Sequence, residues 1–494
     1  MIDAARLFGC RGIYSRSESL PDLRVSRREL LASTAAALLL PTSRAAAATT
    51  RPNILFIMAD DLGFADLSCY GRTDYRTPMI DGLAAAGMRF TQAYANSAVC
   101  SATRVGLITG RYQNRLPIGL EEPLGHRDVG LPPSHPTLPS LLRKAGYRTA
   151  LIGKWHMGAL PKYGPLQSGY DHFWGFRGGG LDYFHHSIMG KPDLWDDDRA
   201  IDKPGYLTDL IGDQAVATIG SYAAGHQPFF LSLHFNAPHW PWEGPDDEAE
   251  ARRLSTSTEN FAVFDTDGGS QKTYAAMVTR MDMQIGRVLD ALDRHGLAHN
   301  TIVIFTSDNG GERYSNTWPF SGKKTELLEG GLRIPSIIRW PGRVVPGTVN
   351  SQVTISMDWM PTLLAAGGAA PDPAFLPDGI DLTPTLLHHA PPVPRTLFWR
   401  YLNLSQEACR DGDWKYLKIL DNTFLFNVVD DPLERANLKN REPARYAKLH
   451  AEYRAWDASM LPLDPSASTS GFTGKQVADH FGIVDARTTA RPND

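Results

Sequence analysis

Cysteine occurs only four times in this 494-residue chain, at Cys10, Cys69, Cys100 and Cys409. That is too few for a scaffold built on disulfides. A charge bias is missing too: 50 Lys and Arg stand against 54 Asp and Glu, a formal net charge of -4. Such a balance gives no footprint for nucleic acid or for an anionic membrane surface. Beyond the first fifty residues no run reaches about 18 apolar residues, so no stable membrane insertion is expected of the mature chain. What is plentiful is tryptophan (11) and proline (35), which fits a globular protein with long, ordered loops. The length suits one large domain plus a smaller one.

The N-terminus has its own texture. Ser26-Arg27-Arg28-Glu29-Leu30-Leu31 leads into LLASTAAALLL, and AAAA follows at 45–48. A basic region, a short apolar region and small residues, in that order, make an export signal, and the paired arginines point to the twin-arginine route. The apolar run is too short to span a bilayer. Residues 1–48 are therefore expected to be a signal peptide and the protein to be exported, periplasmic or extracellular. Its removal leaves three cysteines, which cannot all pair within one chain.

From Arg51 onward, short apolar runs alternate with helical patterns. NILFIMADD (53–61), RTALIGKWHMG (148–158), PFFLSLHFNAPHW (228–240) and TIVIFTSDNGG (301–311) read as strands of a parallel sheet covered on both faces. Tyr274, Met277, Val278, Met281, Ile285, Val288, Leu289 and Leu292 follow helical spacing up to Gly296, and a shorter helix runs from Leu138 to Gly146. The expected fold class is α/β: a large, mostly parallel sheet between helices, with a smaller C-terminal antiparallel sheet. The boundaries expected are 51–385 for the main domain, 395–461 for the C-terminal subdomain and 462–494 for a loosely attached tail, with APPVP (390–394) as the linker. RTLFWRYLN, DGDWKYLKIL and NTFLFNVV supply strands of the small sheet, and a helix over 442–456 covers it.

All four long strands end in polar groups. In an open α/β sheet ligands bind beyond the carboxyl ends of the strands. Asp60, Asp61, Asp308 and Asn309 are hard oxygen donors that select calcium, ahead of magnesium, over zinc. Asp60-Asp61 alone would read as a solvated strand end; the matching Asp308-Asn309 favours a metal. Cys100 and Arg104 are an i, i+4 pair at the start of a helix. An anion-favouring helix N-terminus there would give a reactive thiol of depressed pKa. The alternative is a small buried residue opening a core helix.

These segments resemble a family. MADDLG, CSATRVGLITGRY, GKWHMG, APHWP, SDNGG and KKTELLEGG stand in the order and spacing of the type I sulfatases, a branch of the alkaline phosphatase superfamily. DGDWK and DPLERANL extend the likeness to about residue 438. The Cys-x-[Pro/Ala]-x-Arg core with the following Leu-x-Thr-Gly-Arg is its most specific part. The resemblance implies an alkaline phosphatase-like fold and a sulfatase acting on a sulfated small molecule or glycan. It implies that a formylglycine-generating enzyme oxidises Cys100 to formylglycine, whose hydrate attacks sulfur. Arg104 would hold the modified side chain, and Asp60, Asp61, Asp308, Asn309 and residue 100 would bind calcium. Lys154 and Lys324 would screen the sulfate, and His239, helped by Lys324, would protonate the leaving alcohol. His156 would act as base in releasing sulfate, with Asp308 as a further base for the attacking hydroxyl. Lys323 is adjacent, but the spacing to Glu329-Gly330-Gly331 favours Lys324. The motif departs from the commonest pattern at Ala102, where proline is usual, and at Thr103, where serine is.

The loop RGGGLDYFHH (177–186), with Trp240, Trp242 and Trp318, is rich in groups that suit a sugar ring. It resembles members acting on N-acetylgalactosamine 6-sulfate; loop packing is the plainer reading. Two rivals remain: a phosphonate monoester or phosphodiester hydrolase of the same superfamily, and a non-catalytic exported calcium- or polysaccharide-binding protein.

Overall fold

The computed structural model describes residues 51–120, 128–188, 190–255, 268–388, 390–464 and 467. The expected signal peptide and nearly all of the expected tail lie outside them.

A ten-stranded mixed sheet is the frame. At its centre Thr301–Ser307, Asn53–Ala59, Phe229–His234, Arg148–Lys154 and His172–Phe176 lie side by side, every neighbouring pair parallel. Shorter strands pair antiparallel with both flanks of this block, through Ser336–Arg339 on one side and Trp195–Asp196 on the other. The four strands read from the sequence are thus four adjacent members of the parallel block. Their apolar continuity follows from burial on both faces. In Asn53–Ala59, Leu55, Ile57 and Ala59 face one core, while Ile54, Phe56 and Met58 face another.

The Gln271–Arg294 helix covers the first face together with Leu207–Ala223. Tyr274, Met277, Val278, Met281, Ile285, Val288 and Leu292 are fully buried along its inner stripe, and Ser270 caps its N-terminus by accepting the amide N–H of Thr273. On the second face, Cys100–Thr109 and Leu138–Lys144 pack with Trp359–Ala366.

The C-terminal sheet has four antiparallel strands, Thr396–Tyr401, Gln406–Asp411, Trp414–Ile419 and Asn422–Asn427, covered by the Pro443–Asp457 helix. Three of the strands match the apolar segments. The second, QEACRD, has no such pattern: it buries Gln406, Glu407 and Arg410 by giving each a polar partner. This sheet does not enclose a core of its own. Trp399, Tyr416, Leu425 and Tyr453 pack in one cluster with Tyr94, Ala98, Val99, Ala102 and Leu327 of the main domain.

Candidate active site

The carboxyl ends of the four central strands deliver their polar residues to one buried cluster. Asp60 and Asp61 follow the Asn53–Ala59 strand, and Asp61 turns there with φ +61. Asp308 and Asn309 follow the neighbouring strand; Asp308 Oδ1 accepts the Asp61 N–H at 3.1 Å and Asn309 Nδ2 donates to Asp61 Oδ1 at 2.7 Å. Lys154 Nζ lies 2.6 Å from Asp60 Oδ2, and Lys324 Nζ lies 2.6 Å from Asp61 Oδ2. Arg104 Nη2 donates to Asp308 Oδ2 at 2.8 Å and lies 3.6 Å from Asp60 Oδ1. Three carboxylates therefore face three cations with almost no solvent contact. Burial, with the Asp308 charge next, holds the carboxyl of Asp60 well above its ordinary range; burial also raises Asp61, against the pull of Lys324.

Cys100 opens the Cys100–Thr109 helix on this cluster, its Sγ 3.9 Å from Asp61 Oδ1. The expected reactive thiol is overturned. Burial pushes its pKa well above the ordinary value, and the nearby Lys154 and Lys324 charges do not offset the loss of solvent. As a thiol, Cys100 is protonated and a poor nucleophile. The two departures from the motif have local reasons. Ala102 packs against the core beneath the C-terminal sheet. Thr103 Oγ1 accepts the Ser97 N–H at 2.9 Å and donates to Ser97 O at 3.0 Å, closing the turn that leads into the helix. Cys69 and Cys409 are both free thiols.

Two histidines line the cluster. His239 Nδ1 lies 2.6 Å from Trp240 O and its Nε2 lies 3.1 Å from Lys324 Nζ. The carbonyl fixes the proton on Nδ1 and leaves Nε2 to accept from the lysine. Burial, then Lys324 and Lys154, hold its pKa well below 6.5, so the ring is neutral. Burial and Lys154 do the same to His156. His156 sits in the left-handed region with φ +54, and neither ring nitrogen has a hydrogen-bond partner among the described residues. Lys324 is the lysine at the cluster; Lys323, one residue earlier, donates its backbone N–H to Glu326 Oε2.

Several contributors were not legible in the sequence. His234 Nδ1 lies 3.2 Å from Arg104 Nη1, and burial beside that arginine lowers its pKa to about 3. It ends a strand whose motif drew attention only to His239. The glycines of RGGG turn out to be steric. A Cβ at Gly179 would lie 2.7 Å from His156 Cε1, and one at Gly180 would lie 3.0 Å from His239 Cε1. This loop therefore forms a wall against both rings. The aromatic residues divide: Tyr183 and Trp242 are core, with Tyr183 Oη donating to His239 O at 2.8 Å, whereas Trp318 is 65% exposed. For the first two, packing is the correct reading.

The donor set fits a hard divalent cation. Asp60 Oδ1 and Asn309 Oδ1 are buried without a hydrogen-bond partner among the described residues. Asp60, Asp61, Cys100 and His239 offer ligand atoms within 4.8 Å of one another. His239 Nε2 already accepts from Lys324, whereas the two unpartnered atoms are both oxygens. Oxygen donors select calcium or magnesium.

A family model described as Sulfatase matches residues 52–369. N-acetylgalactosamine-6-sulfatase of Rattus norvegicus is 32% identical over 372 residues, covering 69% of this chain and 67% of the relative. The crystal structure of Ps i-CgsB in complex with k-i-k-neocarrahexaose superposes with a TM-score of 0.76 at 30% identity, covering 85% of this chain and 95% of that one. The phosphonate monoester hydrolase of Agrobacterium radiobacter shares the fold, with a TM-score of 0.59 at 21% identity and coverage of 83% and 96%. No helix of the described residues is long and apolar enough to cross a membrane. With the alkaline phosphatase-like sheet, the buried cluster at its carboxyl edge and these matches together, the chain belongs to the sulfatase family, enzymes that hydrolyse sulfate esters.

Proposed function

We propose that this enzyme hydrolyses a sulfate monoester carried by a carbohydrate, using formylglycine at position 100 and one calcium ion. The observation that carries this reading is the place of Cys100. It opens its helix onto the three carboxylates and three cations, with Sγ 3.9 Å from Asp61 Oδ1, and burial raises the pKa of its thiol above the ordinary value. A formylglycine there supplies a hydrated aldehyde, a hydroxyl nucleophile that needs no thiolate.

Asp60, Asp61, Asp308, Asn309 and residue 100 would hold calcium. That ion supplies positive charge at the sulfate oxygens, where charge develops in the reaction. The three carboxylates are already balanced by Lys154, Lys324 and Arg104, so a dication leaves a net positive site suited to an anionic ester. Lys154 and Lys324 bind the sulfate oxygens. Arg104 stays with Asp308 and orients the first turn of the helix toward the metal-side carboxylates. His239 is neutral in the free enzyme because Lys324 and Lys154 surround it. Substrate charge between those lysines raises its proton affinity, so that His239 takes a proton from solvent and delivers it from Nε2 to the leaving oxygen. Lys324, whose pKa is raised against its burial by the carboxylates around it, keeps its own charge beside the ring. His156, neutral with both ring nitrogens unpartnered, takes a proton from the group at position 100.

A carbohydrate substrate is supported by the relatives, an N-acetylgalactosamine-6-sulfatase and a sulfatase-fold structure in complex with a neocarrahexaose, and by the exposed aromatic face of Trp318. The Arg27-Arg28 segment supports export by the twin-arginine route before the enzyme acts outside the cytoplasm. The test compares kcat/KM for an aryl sulfate with that for the matching aryl phosphonate monoester, alongside sulfate release from N-acetylgalactosamine 6-sulfate. Preference for the sulfate ester is expected. A preference for the phosphonate would replace this reading with the phosphonate hydrolase.

A further inference from the structure

The Lys324 loop is held from the C-terminal sheet. Gln406, 1% exposed at the start of the Gln406–Asp411 strand, uses both ends of its amide on that loop. Its Oε1 accepts the Leu327 N–H at 2.8 Å and its Nε2 donates to Thr325 O at 2.8 Å. Thr325, next to Lys324, is a β-branched residue at φ +72. That is an unfavourable conformation which must be imposed by its surroundings. Backbone bonds also hold this point: Lys324 N–H to Gly311 O at 3.0 Å, Thr325 N–H to Ala98 O at 2.9 Å and, across the turn, Glu326 N–H to Lys323 O at 3.0 Å. Further along, Glu434 Oε2 accepts the Glu329 N–H at 2.6 Å, and Lys415 Nζ lies 3.0 Å from Glu329 Oε1 and 2.9 Å from Glu434 Oε1. These three charged side chains are fully excluded from solvent.

We propose that Gln406 is a positioning residue of the reaction: its amide clamps the strained Thr325 turn so that Lys324 Nζ stands between Asp61 and His239. This rests on the reading that Lys324 meets the sulfate and stands, charged, against His239 Nε2. It explains why a polar strand is buried under the catalytic loop, and it makes the C-terminal sheet part of the active site. Losing either amide end leaves a buried main-chain group unpaired and lets the Thr325 turn relax. The ammonium would then move from both of its partners at once.

The test is a double-mutant cycle with Gln406→Met and Lys324→Met in the full-length enzyme. Rates on an aryl sulfate are normalised to the formylglycine content of each preparation by mass spectrometry, with Tm measured in parallel. Gln406→Met alone is expected to lower kcat at least thirtyfold while KM changes less than fivefold. In the Lys324→Met background it should cost less than threefold more. Gln406→Glu, which keeps the acceptor for Leu327 and loses the donor to Thr325, should fall between wild type and Gln406→Met, and it answers the question if Gln406→Met does not fold. Equal losses in both backgrounds, tracking a fall in Tm, would make Gln406 merely structural and overturn the proposal. So would wild-type kcat in Gln406→Met beside an impaired Lys324→Met, which leaves the role of Lys324 intact. A fully active Lys324→Met would instead remove that role, and the clamp with it.

Discussion

Cys100, Lys324 and Gly179 illustrate three ways a single residue can matter here. Cys100 was conspicuous in the sequence because its motif is specific, but the helix-start argument gave the wrong sign for its pKa. A helix N-terminus stabilises a thiolate by a modest amount, and complete burial costs more. Lys324 and Lys323 were separable only by motif spacing, and the fold sends Lys324 Nζ to Asp61 and His239. Lys324→Ala should therefore lower kcat/KM on an aryl sulfate by about 100-fold or more, as for loss of one preorganised charge-stabilising donor. Lys323→Ala should stay within about fivefold, and steady-state kinetics of the pair checks both. Gly179 gave no signal of its own, since a glycine shows only in the fold what stands where its Cβ would be. The missing Cβ is what admits the His156 ring. Gly179→Ala should reduce kcat at least tenfold with Tm lowered by no more than a few degrees, because the neighbour that must yield is an imidazole and not the backbone core.

At the scale of elements, the strands and the long helix were readable for one reason: burial forces a periodic apolar pattern. Asn53–Ala59, Thr301–Ser307 and Gln271–Arg294 follow it with few exceptions. The Leu138–Lys144 helix adds a readable stop and start, with Thr137 Oγ1 accepting the Ser140 N–H at 3.2 Å and Ser140 Oγ accepting the Thr137 N–H at 2.9 Å. Thr137→Ala should cost about 1 kcal/mol, the usual loss for such a cap, seen as a shift of denaturation midpoint without loss of activity. Gln406–Asp411 was invisible because its buried side chains are polar, and nothing local reveals that their partners lie far away in sequence. The same reason hid His234, whose role depends on Arg104, 130 residues earlier.

The whole molecule carries two further consequences. Glu329 and Glu434 share one buried lysine, Lys415. The charges of Lys415, Arg333 and Arg410 hold Glu329 down at about 2, against its burial. Burial, with the Glu329 charge also raising it, pushes Glu434 up from 4.5 to about 7. A carboxyl whose native pKa exceeds its unfolded value binds its proton more tightly when folded. Its contribution is full below about pH 4.5 and is lost as pH rises through about 7. Glu434→Gln should remove that dependence and narrow the difference in stability between pH 5 and pH 8, checked by urea titration at both values. Calcium should raise Tm by mass action, and a chelator should lower both Tm and sulfatase rate, with recovery on adding calcium. An unchanged Tm across a calcium titration would contradict the metal assignment.

The central claim is that residue 100 works as formylglycine and not as cysteine. Mass spectrometry of the peptide spanning Cys100, taken from enzyme whose sulfate release has been measured, tests it most directly. The aldehyde should be present in proportion to the specific activity across preparations, and Cys100→Ala should have neither. Fully active enzyme carrying an unmodified cysteine at position 100 would contradict the account.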